Sequence, residues 1–164
     1  MLVRDREIVS AAGTFLGTVR LTEKFISHHP IEENEYDTLA AYLCRELKSI
    51  KEKLSDFPPE TLVGTAGTVT TLAAIDGDVY PYDPEKIHGQ TLTRARVEEI
   101  LENLKRKSLE ERLAMNTMEK GREDLIIVGS ALTLEIMRAF GCDLLTISEY
   151  GLREGIILDA LNLK

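Results

Sequence analysis

From Leu62 to Ala73 the sequence reads Leu-Val-Gly-Thr-Ala-Gly-Thr-Val-Thr-Thr-Leu-Ala. An apolar run enters two glycines interleaved with threonines, and an amphipathic segment follows at once. The spacing predicts a strand over 61–63 that passes through a tight turn into a helix over 68–75. Glycine lets a ligand or another chain come close to the backbone, and threonine hydroxyls cap a helix or bond an oxyanion. Two readings stand side by side for Gly64, Thr65, Ala66, Gly67 and Thr68. The turn contacts a phosphate at a helix N-terminus, where unpaired amides and the helix dipole favour an anion. Alternatively it needs glycine only for its own geometry. The segment is neither a Walker loop, since no Gly-Lys-Ser/Thr follows, nor GxGxxG.

The remaining pattern mixes strands with helices. Short strands are expected at 2–4 and 6–12 around Asp5-Arg6. Residues 15–21 read as a further strand or the approach to a helix, and 22–27 as a short helix stopped by His28-His29-Pro30. Tyr36, Leu39, Ala40, Leu43, Leu47, Ile50 and Leu54 fall at three- and four-residue steps. They predict a long helix over 32–54, ended by Phe57-Pro58-Pro59. Residues 76–90, with Gly77, Pro81, Pro84 and Gly89, read as a loop with an edge hairpin around Leu92. Thr93 caps a helix carrying Val97, Ile100, Leu101 and Leu104, and Ser108-Leu109-Glu110-Glu111 is a capping box. Residues 122–140 stay open between a strand before Gly129 and one buried helix, because nearly every position is apolar. A strand over 144–147 and a helix over 151–161 close the chain. With no linker or internal repeat, 164 residues fit one core of α/β or α+β type.

Charge and composition narrow the partners. A net charge of -8 argues against a nucleic-acid surface, and 5% aromatic residues with no Trp argue against a base-stacking platform. No apolar run approaches the roughly 18 residues of a membrane span. Met1 to Arg6 lacks the apolar core of a signal peptide, so a cytoplasmic location is expected, with Cys44 and Cys142 as reduced, buried thiols. Arg122, after Gly121, either reaches a phosphate with its planar fork or pairs with Glu123 or Asp124. Arg153 and Glu154 either line a cleft or form a structural ion pair, and the pair is the default reading. His28, His29 and His88 lack metal-ligand spacing, and the first two are assigned to a solvated loop. Glu98-Glu99 and Glu110-Glu111 are read as solvated helix faces. Ser130 is not in a G-x-S-x-G elbow, and no nucleophile–base set is found.

Four segments then occur in one order: Gly17-Thr18-Val19-Arg20-Leu21-Thr22-Glu23; Val63-Gly64-Thr65-Ala66-Gly67-Thr68 with Leu72-Ala73; Arg122-Glu123-Asp124-Leu125-Ile126 with Gly129; and Ser148-Glu149-Tyr150-Gly151-Leu152-Arg153-Glu154-Gly155. Together they resemble the exopolyphosphatase/guanosine pentaphosphate phosphohydrolase family, over nearly the whole chain. The resemblance implies the actin/sugar kinase/Hsp70 superfamily and an α/β, ribonuclease-H-like (actin-like ATPase) domain. It implies phosphate removal from polyphosphate or from the 5′ position of guanosine pentaphosphate, with Mg2+. Gly64 to Thr68 then resembles the turn that approaches the nucleotide, with Arg122 as a further candidate for the same cleft wall. Residues 122–134 resemble the second connecting helix between domains, which favours a single helix across 125–140.

The departures from the family carry as much weight. Its first domain, with a phosphate loop and a glutamate base, has no counterpart here, nor does the Asp-Ile-Gly-Gly-Gly-Ser loop that opens its second. The resemblance therefore makes residues 1–164 a single domain like the family's second, incomplete at its N-terminal strand. Such a chain would supply one cleft wall, bind polyphosphate, guanosine pentaphosphate or guanosine tetraphosphate weakly, and hydrolyse little alone. It would meet a separate first-domain chain or a second copy of itself, with no nucleic-acid or membrane partner. The alternative is a non-catalytic module binding nucleotide or protein.

Overall fold

The structure, a computed structural model, describes residues 1–54 and 59–161. Strands β1 (Leu2–Arg4) and β2 (Glu7–Ser10) pair as an antiparallel hairpin turning at Asp5 and Arg6, both at positive φ. Helix α1 (Thr18–Phe25) starts earlier than the sequence suggests, after an extended Gly17. It buries Leu21 and Thr22 while Val19 stays exposed. The alternation at Val19 to Leu21 that also reads as a strand is therefore one helical turn. Helix α2 (Glu33–Leu54) buries Leu39, Leu43 and Leu47, with Glu33 and Glu35 in its first turn and Lys51 and Lys53 in its last. Those charges complement the helix dipole. Phe57 and Pro58 of the expected stop lie outside the described residues.

Strand β3 (Leu62–Thr65) runs into α3 (Gly67–Asp76), as the Gly/Thr pattern predicts. The expected loop at 76–90 contains a helical turn, α4 (Pro84–Ile87). Asp83 accepts from the Glu85 amide at 3.1 Å and Pro84 occupies the first helical position, which is a standard start signal. Strand β4 (Thr91–Thr93) is not part of a local hairpin. Its antiparallel partner is β5 (Leu144–Ser148), far along the chain. Thr93 caps α5 (Arg94–Lys105), accepting from the Arg96 amide at 3.1 Å. Ser108 and Glu111 form the predicted box at the start of α6 (Leu109–Leu113).

Residues Ile126–Phe140 form a single helix, α7, ended by Gly141 in the left-handed conformation. Its positions from Ile126 to Ala131 are all buried, so no polar face marks the helical period. Helix α8 (Leu152–Ala160) follows β5. The main sheet has the order β3-β5-β4, with β3 parallel to β5. Helix α7 packs against α2, α5 and α3, and one hydrophobic cluster joins these elements to the sheet. By contrast α8 buries none of its residues: Leu152, Ile156, Ile157 and Leu158 are exposed. Among the described residues β3 pairs on one edge only. Cys142 is buried as expected, whereas Cys44 is exposed, because α2 turns that position away from the face carrying Leu43 and Leu47.

Candidate functional site

A cavity of 610 Å³ opens where the β3–α3 turn, residues 79–82, the loop before α7 and the start of α8 converge. Its floor is the turn. Gly64 and Gly67 are placed there for close approach. A Cβ on Gly64 would stand 3.0 Å from the Val69 side chain and 3.1 Å from that of Leu145. A Cβ on Gly67 would overlap the Arg122 guanidinium. The left-handed conformation falls instead on Ala66, at φ 74 and ψ 171. That region is almost exclusive to glycine, and strain there costs on the order of 1–3 kcal/mol. Ala66→Gly should therefore stabilise the chain by about 1 kcal/mol after the added entropy of unfolded glycine, raising Tm by roughly 2–4 °C. A thermal melt showing no rise would mean that the turn relaxes without strain.

Thr65 donates its hydroxyl to the Tyr150 carbonyl at 3.1 Å, tying the end of β3 to the segment before α8. Ser148 donates to the same carbonyl at 2.9 Å and accepts from the Tyr150 amide at 3.1 Å. The Glu149 amide donates to His88 Nδ1 at 3.3 Å, and the His88 and Tyr150 rings lie 4.5 Å apart. Tyr82 donates its hydroxyl to the Glu149 carboxylate. Burial and then the Glu149 contact push the Tyr82 phenol up. Glu154 accepts from the Gly151 amide at 2.7 Å, the main reason its carboxyl is held below the ordinary value. Glu154 thus caps α8, and no ion pair links it to Arg153 among the described residues, contrary to the sequence reading.

Arg122 pairs with Glu119 rather than with Glu123 or Asp124. Glu123 instead accepts from the Gly121 amide at 2.6 Å. The Arg122 carbonyl accepts from the Leu125 amide at 3.1 Å and the Ile126 amide at 2.9 Å, fixing it at the entry to α7. Behind this loop lies Arg112, fully buried. It donates to the Glu123 carbonyl, to the Lys107 carbonyl at 3.3 Å, and to His29 Nδ1 at 2.5 Å. Burial, then the Arg112 charge, lowers the His29 pKa, and burial lowers that of Arg112. His29 is therefore a half-buried acceptor, not a solvated loop residue. His28 is solvated and lies 3.0 Å from Glu35.

Of the residues singled out in the sequence, Thr65, Ala66, Gly67, Arg122, Arg153 and Glu154 line the cavity. Gly64 and Thr68 stand behind it, Thr68 packing on Gly129 of α7. Sequence reasoning missed Tyr80, Tyr82, Glu119 and Glu149. They sit on irregular segments, where no periodicity marks which side chains converge. Among the described residues no group of three or more His, Cys, Asp or Glu is placed to hold a metal ion, so the Mg2+ implied by the resemblance finds no ready donor set. No helix of the described residues is long and apolar enough to cross a membrane.

Comparison with known proteins places this geometry among relatives. Residues 1–164 match the Ppx/GppA phosphatase family. The chain is 33% identical over 165 residues to exopolyphosphatase 2 of Mycobacterium tuberculosis, covering 96% of this chain and 51% of that protein. It is 31% identical over 158 residues to a bifunctional 3-dehydroquinate synthase/phosphatase of Fusobacterium nucleatum, covering 91% and 22%. The crystal structure of the Aquifex aeolicus Ppx/GppA family member superposes with a TM-score of 0.91 at 33% identity, covering 98% of this chain and 51% of that one. An exopolyphosphatase from Cytophaga hutchinsonii gives 0.83 at 25% identity, covering 95% and 51%. The fold is that of these proteins, α/β and actin-like. The chain spans about half the length of the first of these relatives.

Proposed function

Because the chain belongs to the Ppx/GppA phosphatase family, we propose that it forms one wall of a phosphoanhydride-binding cleft in a phosphohydrolase. The substrate is polyphosphate, as the name of the Mycobacterium relative says of that protein, or guanosine pentaphosphate. The supporting observation is the convergence of the Thr65–Ala66–Gly67 turn, Arg122 and Arg153 on one cavity. Amides at the start of α3 and two guanidinium groups bind and orient phosphate oxygens. Gly64 shapes that turn, and Thr68 holds α3 against α7.

Water attack on a phosphoanhydride also needs a positioned base and strong charge stabilisation. In this reading those groups, with the ligands for Mg2+, belong to the half of the relatives that this chain does not span. Residues 1–164 form one domain that binds and orients; the complete cleft hydrolyses. The partner is a first domain like that of the relatives, met through the exposed apolar residues of α8 and the edge of β3 that is unpaired among the described residues, with a separate first-domain chain or a dimer of this chain as the competing arrangements. The protein works in the cytoplasm, without nucleic acid or membrane. A second reading, a non-catalytic nucleotide- or protein-binding module, draws on the want of a metal-binding cluster among the described residues.

Titration with guanosine tetraphosphate tests the site. Arg122→Ala should weaken binding about tenfold, the loss of one charge-assisted contact. Equal affinity for both proteins would remove Arg122 from the site. The chain alone should release phosphate from polyphosphate with Mg2+ no faster than buffer; turnover at an ordinary enzymatic rate would refute the division of labour.

A further inference from the structure

Arg112 is fully buried on the short helix α6. A guanidinium keeps its charge at any working pH, so burying it is costly unless its N–H groups meet acceptors. Its hydrogen-bond partners among the described residues are the carbonyls of Lys107 and Glu123 and the His29 ring. None of them is a carboxylate. Together they tie the connection between α1 and α2, the helix α6 and the loop before α7 into one knot. A buried charge adds little stability over an apolar residue of the same size, so the knot calls for another reason.

The Glu123 carbonyl lies one peptide beyond Arg122. The Arg122 amide donates to the Glu119 carbonyl at 3.1 Å, and its own carbonyl accepts from the Leu125 and Ile126 amides at 3.1 and 2.9 Å. Its side chain lines the cavity and is held only by the solvent-facing pair with Glu119. Such a pair fixes direction weakly. The main chain of this turn therefore aims the guanidinium, and Arg112 anchors that main chain to the interior.

The anchor is conditional. Arg112 donates to His29 Nδ1 across 2.5 Å, which requires a neutral ring with a free lone pair on that nitrogen. An imidazolium carries a proton there and repels the guanidinium. Asp124, Glu35 and Glu110 face the ring and favour the proton, whereas burial and Arg112 oppose it and prevail.

Resting on the phosphate-binding reading above, we propose that Arg112 is a positioning residue that holds Arg122 toward the cavity, and that His29 releases this hold when it takes up a proton. The sign of the effect is diagnostic. One more positive charge near the site would by itself strengthen binding of a polyanion. Release of Arg122 weakens it.

His29→Asn supplies the control, because the Asn oxygen stands where Nδ1 does and accepts at every pH. Both proteins are titrated with inorganic tripolyphosphate at about pH 8 and about pH 5, on either side of the ordinary histidine value, with circular dichroism to follow the fold. Affinities should match at the higher pH. At the lower pH the wild type should bind about threefold or more weakly than His29→Asn. Equal or tighter binding by the wild type would overturn the release. Hydrogen exchange at the Leu125 and Ile126 amides reads the same event without ligand. At about pH 5 these amides should exchange roughly tenfold faster in the wild type than in His29→Asn, while the Leu101 amide of α5 keeps one rate in both. Arg112→Met should show the fast exchange at both pH values; where it does not fold, the His29→Asn comparison decides. Unchanged exchange, or a wild type that unfolds as a whole at the lower pH, would overturn the coupling. No tripolyphosphate binding at any pH would overturn the phosphate-binding reading, and exchange would still judge the hold on the Arg122 turn.

Discussion

Arg112→Ala is expected to remove about 3–4 kcal/mol of folding stability, the loss found when one member of a buried charged network is deleted. Arg112 is fully buried. The carbonyls of Lys107 and Glu123 and the His29 ring all depend on its guanidinium. Truncation leaves these acceptors without a donor and opens a void behind the Arg122 loop. Arg112→Met fills the void but not the hydrogen bonds, and should recover only part of the loss. Urea unfolding of both variants at pH 8, where His29 is neutral, measures this. A loss below about 1 kcal/mol would mean that water replaces the guanidinium.

The same contact has a pH signature with a definite sign. The lowered His29 pKa means that the unfolded chain binds the proton more readily. The His29 contribution is complete above the ordinary histidine value and is lost as pH falls below it through the lowered value. Arg112→Met should shrink that acid sensitivity. His28, raised chiefly by its hydrogen bond to Glu35, acts in the opposite sense: its contribution is lost as pH rises through the raised value. The two adjacent histidines therefore partly offset each other in the wild type.

Gly129→Ala should cost about 2–3 kcal/mol by overpacking. A Cβ there would overlap the Thr68 hydroxyl and methyl, where α3 and α7 pack together. Threonine is stiff at χ1 and cannot swing aside cheaply, so α3 must move and carry the Thr65–Gly67 turn with it. Gly67→Ala is the contrasting case. Its Cβ meets only the far end of the flexible Arg122 side chain, so stability should change by less than about 1 kcal/mol. The interaction is checked with Thr68→Ala alone and combined with Gly129→Ala. If the double variant is no more stable than the sum of the singles predicts, the clash lies elsewhere.

These residues also show how far the chain could be read in advance. Amphipathic spacing gave α2, and side-chain caps gave the starts at Thr93 and Ser108, because both are local effects. The Asp83-Pro84 start of α4 was equally local but was hidden among loop-forming residues. Helix α7 could not be separated from a strand by its own residues, since burial on all sides erases the period; the family resemblance favoured the single helix that the fold has. The partner of β4 and the burial of Arg112 depend on distant elements. So does the exposure of Cys44, which belongs to the side of α2 away from the core. At the site, the Gly/Thr turn was visible because its composition is unusual. The tyrosines and glutamates around it were not, since nothing in a single sequence tells which loops meet.

Strand β5 stands between β3 and β4 in the sheet, yet both partners precede it in the chain. A ribosome delivers the two flanking strands first and the one that joins them late. Until β5 emerges, Leu62 and the otherwise fully buried Leu92 have no sheet to enter, and α3 and α5 have only helical neighbours to rest on. The helices can gather around α7 during synthesis, but the sheet closes in one late step. That order leaves an interval in which a chaperone, or a neighbouring nascent chain, competes for the unpaired strands.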